Sequence, residues 1–249
     1  MPGPFRLLQG PAGDLWVYAS TTPASDSRRA HVVLCHDLPR PKGSAADVAL
    51  TFPALADRLT RESGRSVVIA TLRGAGGSAG DFSPLGWLDD LAFVAGQEIP
   101  ASAPRIVAGF GVGGVLGLHL AAQDERVAAV ACLGTPAGLG ALSGDPATLV
   151  ERCRRAGVIT TRGFPASIEA WAKEVTVLHP AEDAAELRGR PLLVIDGSDD
   201  PDVPVADARA LAEAATGPSE LHVVYGAGHW LRADPRVVAI LVGWLERCP

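Results

Sequence analysis

The sequence predicts an α/β protein with an eight-stranded, mostly parallel sheet flanked by helices. Two observations carry this. Short β-branched runs alternate with segments of helical period, which is the pattern of a parallel sheet covered on both faces. The stretch VAGFGVGG at 107–114 sets a tight glycine turn between an apolar run and a helix-like segment.

In chain order, FRLLQGPAGDLWVYAS at 5–20 reads as an antiparallel edge hairpin around a glycine-containing turn. HVVLC at 31–35 and SVVIATL at 66–72 are core strands. Between them AADVALTFPALADRLTRES at 45–63 has helical spacing, interrupted by a proline. GWLDDLAFVAGQEI at 86–99 is helical, RIVAGF at 105–110 a strand, VGGVLGLHLAAQ at 112–123 a helix and VAAVACLG at 127–134 a strand. After a break, PLLVIDG at 191–197 and LHVVYG at 221–226 are strands around the helical VADARALAEAAT at 205–216. PRVVAILVGWLERC at 235–248 closes the chain as an amphipathic helix. The break, 136–190, contains no convincing strand, only the helix-like pieces PATLVERCRRAGV at 146–158 and PASIEAWAKEVTVLH at 165–179. It is too long for a simple loop. It reads as a helical cap over the carboxyl ends of the strands, inserted into a single-domain core of 1–135 and 191–249.

Composition narrows the function. With 249 residues, 47% of them hydrophobic, one sizeable core is affordable. The net charge of −6 has no like-charged block, which argues against nucleic acid or a membrane surface as partner. The first ten residues, MPGPFRLLQG, lack a basic segment and an apolar core. No apolar run approaches the roughly 20 residues of a membrane span. A cytoplasmic protein is expected, whose partner is a small-molecule ligand or substrate, with a homo-oligomer allowed for. Cys35, Cys132, Cys153 and Cys248 show no metal-ligand spacing. They read as free, buried thiols, Cys35 being notable only for its place beside a site residue. No cofactor and no metal is expected.

Five motifs follow the strands in order. CHDLP at 35–39 follows the first core strand, and Arg73-Gly74-Ala75-Gly76-Gly77-Ser78-Ala79-Gly80 follows the second. Gly109-Phe110-Gly111-Val112-Gly113 follows the third. Gly197-Ser198-Asp199-Asp200-Pro201-Asp202-Val203-Pro204 and Gly226-Ala227-Gly228-His229 follow the last two. Together they resemble the α/β-hydrolase superfamily, in its serine-hydrolase-like bacterial type with a small helical cap. Three loops match its R-G-x-G-x-S-x-G, G-x-x-D-x-x-V-P and G-x-G-H patterns, and the glycine turn follows its G-x-S-x-G pattern except at the serine. The resemblance implies an acid at Asp200 and a base at His229, with the nucleophile serine replaced by Gly111. It implies oxyanion donors at the Val112 amide and near Asp37 or Leu38, and Phe110 and Trp230 as pocket residues. Where the family has His-Gly, this chain has His36-Asp37, and an inward carboxylate there would repel a developing oxyanion.

The elbow that carries a nucleophile is strained, at about 1–3 kcal/mol for a non-glycine residue. Glycine adopts such angles freely, so the turn reads as intact with its reagent missing and the nucleophile position vacant. A serine restored at 111 is expected to point at His229. Asp196, Asp199 and Asp202 compete with Asp200 as ordinary solvated acids. Ser78 reads as a loop serine, and His31, His119, His179 and His222 carry no functional pattern. The glycine-rich loop at 73–80 lacks the lysine of a phosphate loop.

Three readings stand open. In the first, the His229–Asp200 pair acts as general base without a covalent intermediate, on a water above Gly111 or on the substrate itself, in a hydrolase- or lyase-type reaction on a small apolar or acyl- or ester-like molecule. In the second, the chain is a non-catalytic pseudo-hydrolase with a degenerate triad that holds a small ligand. In the third, ranked last, the chain is an ordinary hydrolase with an unrecognised nucleophile.

Overall fold

The computed structural model describes residues 5–21, 29–39, 47–139 and 145–248. Eight strands form one sheet: β1 (Arg6–Gly10), β2 (Gly13–Ser20), β3 (His31–Cys35), β4 (Val67–Thr71), β5 (Arg105–Phe110), β6 (Val127–Leu133), β7 (Leu192–Gly197) and β8 (Ser219–Val224). Their order across the sheet is β1-β2-β4-β3-β5-β6-β7-β8. The β1–β2 hairpin joins antiparallel through β2 on β4, and every other pairing is parallel. The parallel strands all deliver their carboxyl ends, and the loops that follow them, to one edge of the sheet.

The central strands are buried on both faces, so they carry continuous apolar runs rather than alternation. On β3, Val33 and Cys35 join one core layer and Val32 and Leu34 the other. Helices α2 (Pro84–Glu98), α3 (Val112–Gln123) and α7 (Val205–Ala214) cover the first layer. Helices α1 (Asp47–Ser63) and α8 (Pro235–Arg247) cover the second. Ser83 caps α2 by accepting the Gly86 amide, and Pro84 occupies the first turn, where no amide proton is needed.

Several expectations change in detail. Pro53 does not interrupt α1, which runs through it. Burial of Phe52, Leu55, Ala56 and Leu59 along one face offsets the missing hydrogen bond. Ala45 and Ala46, at the start of the expected helix, lie outside the described residues. The segment at 165–179 is not one helix but α5 (Ile168–Lys173) followed by a 3-10 turn (Glu174–Val177). Strand β8 begins two residues earlier than expected and ends before Tyr225.

Between β6 and β7 the described residues form α4 (Pro146–Ala156), α5, the 3-10 turn and α6 (Pro180–Ala185), while 140–144 of the expected insertion lie outside them. The first part leans on the loop that leaves β4. The Phe82 amide donates to Val158 O at 2.8 Å, the Thr160 and Thr161 amides donate to Asp81, and Trp171 Nε1 donates to Phe82 O at 3.1 Å. Helix α6 instead packs on α3 and α7, with His119 Nδ1 3.0 Å from Asp183 Oδ2.

Ser78 is woven into the sheet. Its Oγ accepts from the Trp16 amide at 2.9 Å and donates to Thr71 O, tying the loop after β4 to β2. Ser78→Ala strands that partly buried amide and is expected to cost about 1 kcal/mol in urea unfolding. The ring titration of His229 is expected to stay unchanged.

Candidate active site

Asp37, Gly111, Asp200 and His229 arrive on four separate loops at the carboxyl edge of the sheet. Gly111 follows β5 with φ 52° and ψ −120°, and its carbonyl accepts the Gly114 amide as α3 begins. That left-handed φ is open to glycine and costly for other residues. The neighbouring glycines are needed for contact: a Cβ on Gly109 would overlap the Gly113 carbonyl, and one on Gly113 the Cys35 carbonyl.

Asp200 follows β7. Its Oδ1 accepts the Asp202 amide at 2.8 Å and the Val203 amide at 3.1 Å, which leaves Oδ2 to meet His229 Nδ1 at 2.8 Å. The other ring nitrogen, Nε2, lies 2.9 Å from Asp37 Oδ2. Asp37 Oδ1 accepts the Val112 amide at 2.8 Å. The imidazole is thus held between two carboxylates, and one of them sits on the first amide of α3, where the helix dipole and the free N–H both favour an anion.

The space above Gly111 is therefore not vacant. A Cβ built there would overlap the Asp37 carboxylate. The water expected above Gly111 has that carboxylate in its place, and a serine at 111 would collide with Asp37 before it could reach His229. The inward carboxylate considered from the sequence is the arrangement found, because the amide and the ring both draw it in.

His36, which carried no functional expectation, positions Asp37. Its Nδ1–H donates to Asp37 O at 2.8 Å, and its Nε2 accepts the Leu72 amide at 3.0 Å. Burial lowers its pKa to about 4, so the ring stays neutral and its tautomer is set by these two partners. No motif in the sequence separates this histidine from a functional one. Burial also raises the Cys35 thiol far above its ordinary range, so it stays protonated.

The remaining expected residues lie around this centre. Leu38 is buried in one core layer, and Phe110 packs edge-on against Phe52 at 5.4 Å. Trp230 is 48% exposed beside His229, and its ring lies 4.3 Å from the guanidinium carbon of Arg232. Asp196, at the end of β7, is fully buried. Its Oδ1 accepts the Gly197 amide, and Oδ2 has no partner among the described residues. Burial raises its pKa to about 7, with the Asp200 charge adding to the rise.

The serines are engaged elsewhere. Ser83 caps α2, Ser198 bonds Asp199 and the Gly226 amide, and Ser78 is held by β2 and β4. Asp200, Asp202 and His229 offer ligand atoms within 4.8 Å of one another. With Nδ1 donating to Asp200, however, the ring has no lone pair for a metal there.

Burial pulls the pKa of His229 down, but its hydrogen bonds to Asp200 and Asp37 and their charges outweigh that and raise it to about 9. At neutral pH the ring is an imidazolium that donates through both nitrogens.

A histidine–carboxylate pair beside a strand-to-helix turn, at the carboxyl edge of this sheet, is the frame of a hydrolase-fold protein. The model of the alpha/beta hydrolase family matches residues 32–240, and the chain belongs to that family. An alpha-beta serine hydrolase homologue from Coxiella burnetii is 22% identical, with 99% of this chain and 97% of that one covered at a TM-score of 0.62. Alpha/beta hydrolase domain-containing protein 10 from mouse is 16% identical, covered 98% on both sides at 0.70. A mutant meta-cleavage product hydrolase from Pseudomonas fluorescens IP01, complexed with acetates, is 18% identical, covered 99% and 98% at 0.68. At these identities the likeness is one of fold. No curated protein sequence matches the chain. Among the described residues no helix is long and apolar enough to cross a membrane.

The His229 ring is expected to titrate near pH 9 by NMR, and Asp37→Asn to lower the midpoint by more than one unit. The folded pKa lies above the ordinary value of 6.5. The stabilisation from the clamped imidazolium is therefore complete below about pH 6.5 and is lost as the pH rises through about 9. A midpoint at 6.5 in the folded protein would refute the clamp.

Proposed function

We propose that this chain is a hydrolase-fold enzyme in which Gly111 stands at the family's nucleophile position and the Asp37 carboxylate does the work of the missing serine. The observation that carries this is the seat of Asp37, with one oxygen on the Val112 amide and the other on His229 Nε2. A carboxylate so placed attacks carbon bearing a leaving group. Asp37 Oδ2 forms a C–O bond to a saturated carbon, and the leaving group departs with its electron pair. The product is an alkyl ester of Asp37.

The second half follows from charge. Esterification removes the negative charge and much of the hydrogen bond that hold His229 protonated. Its pKa falls, the ring gives up its Nε2 proton to solvent, and it becomes a base oriented by Asp200. It then takes a proton from water as the oxygen of that water attacks the ester carbonyl. Oδ1 becomes the oxyanion, already placed on the Val112 amide. Collapse expels the alkoxide, which takes the Nε2 proton and leaves as the alcohol, and the Asp37 carboxylic acid so formed passes its proton back to Nε2, restoring carboxylate and imidazolium. Small alkyl halides and epoxides fit this chemistry.

A general base acting without a covalent intermediate is disfavoured, because His229 is held protonated near neutral pH. Acyl-enzyme chemistry on esters is disfavoured because Asp37 occupies the Val112 amide. The pseudo-hydrolase reading has an observation of its own: Asp37, His229 and Asp200 satisfy one another, as a purely structural cluster would.

One experiment separates the two. His229→Gln is incubated with 1-bromobutane or 1,2-epoxybutane and mapped by mass spectrometry. The expected result is an ester on the peptide carrying Asp37. Wild type in single turnover in 18O-water should gain the label in Asp37. No adduct with either probe and no bromide release would refute the nucleophile and leave the ligand-binding reading.

Latent serine chemistry gives a further test. Gly111→Ser alone is expected to be destabilised and inert as an esterase, since Asp37 fills the space. Asp37→Gly with Gly111→Ser should hydrolyse a small activated ester above background by a factor on the order of 10² or more. A fluorophosphonate should label only that double variant. Labelling of Ser78, Ser83 or Ser198 in wild type would overturn the assignment.

A further inference from the structure

The charge ledger of the site leaves one cation unused. Asp37, Asp200 and His229 pair with one another, whereas the Arg232 guanidinium, half-buried three residues after His229, makes no hydrogen bond or ion pair among the described residues. Two aromatic faces hold it instead: its central carbon lies 4.3 Å from the Trp230 ring centroid and 5.6 Å from that of Phe52. Stacking on ring faces leaves the N–H edge of the guanidinium free, and that edge is a planar fork matched to a carboxylate. Phe52 in turn packs on Phe110, the residue before Gly111, so the arginine is tied by contacts to the catalytic turn. Burial pulls its pKa down, and the charges of Asp37 and then Asp47 act against that.

We propose that Arg232, on its Trp230–Phe52 platform, is an anchor for the carboxylate of a small organic acid, which presents its reacting carbon to Asp37. A single cation that already feels the charges of Asp37 and Asp47 compensates at most a monoanion and undercompensates a phosphate dianion, which selects the carboxylate. As a claim about substrate this rests on Asp37 as nucleophile; as a claim about binding it does not.

The test reads binding without turnover. The wild-type protein is titrated with butyrate, and separately with its neutral isostere butyramide, and followed by NMR at the Trp230 indole and the His229 ring. Butyrate is expected to bind about tenfold or more tightly than butyramide, with shifts at both rings. Arg232→Gln should abolish that preference, and Arg232→Lys, which keeps charge but loses the fork, should retain only part of it. Equal binding of the two probes to wild type overturns the proposal without any variant, and so does a preference that survives Arg232→Gln in a folded protein. Inorganic phosphate binding more tightly than butyrate overturns the choice of a monoanion. If Asp37 forms no ester while butyrate binds through Arg232, the nucleophile fails and the anion site stands; the reverse result separates them the other way.

Discussion

The seat of the Asp37 carboxylate is the constraint on which the rest of the site depends. One side chain from the loop after β3 reaches the first amide of α3 and the imidazole from the loop after β8. Three loops that share no strand pairing at their tips are thereby fixed to one another. Each oxygen has one dominant partner, so the carboxylate has little freedom to rotate. The backbone behind it is pinned by the neutral His36 ring, which spans to the Leu72 amide after β4. The orientation of this carboxylate is thus set by the protein alone, before any ligand arrives.

Charge follows from that geometry. Two carboxylates around one imidazole make the ring acidic only at high pH, and any reaction that neutralises Asp37 changes the protonation of its neighbour. Asp196 shows the opposite regime a few residues from Asp200. Buried, with no partner for its second oxygen among the described residues, it has its pKa raised to about 7 chiefly by desolvation. Asp200 has both oxygens engaged, one on two amides and one on His229, whereas Asp196 has only the Gly197 amide on Oδ1.

Much of the fold was legible in the sequence because parallel strands buried on both faces leave continuous apolar runs, as at 105–110 and 192–197. The continuity of α1 through Pro53 was not, since tertiary burial of its apolar face overrides a local preference. The short pieces at 168–177 were read as one helix because their period is helical and the break between them depends on contacts elsewhere. At the site, the spacing of Asp200 and His229 within their loops pointed to residues that the fold does bring together. What could not be read was direction: His36-Asp37 looks like a departure from a pattern, and only the three-dimensional path shows which way the carboxylate turns. The setting of Arg232, stacked on two rings with no hydrogen bond or ion pair among the described residues, was equally hidden, because it is a property of surroundings rather than of spacing.

The glycines around β5 and α3 bear on how such chains are recognised. Gly109 lies against Gly113, Gly113 against the Cys35 carbonyl, and Gly114 against the Thr135 hydroxyl, so at each point main chain or a short side chain takes up the room of a missing Cβ. The run is a packing code for how closely a helix may approach two strands. It would be maintained by the architecture in a lineage that kept the reaction, altered it or lost it. A search that treats those glycines as a mark of catalysis would therefore measure inheritance of a scaffold, and the chemistry has to be looked for in what has moved in beside them.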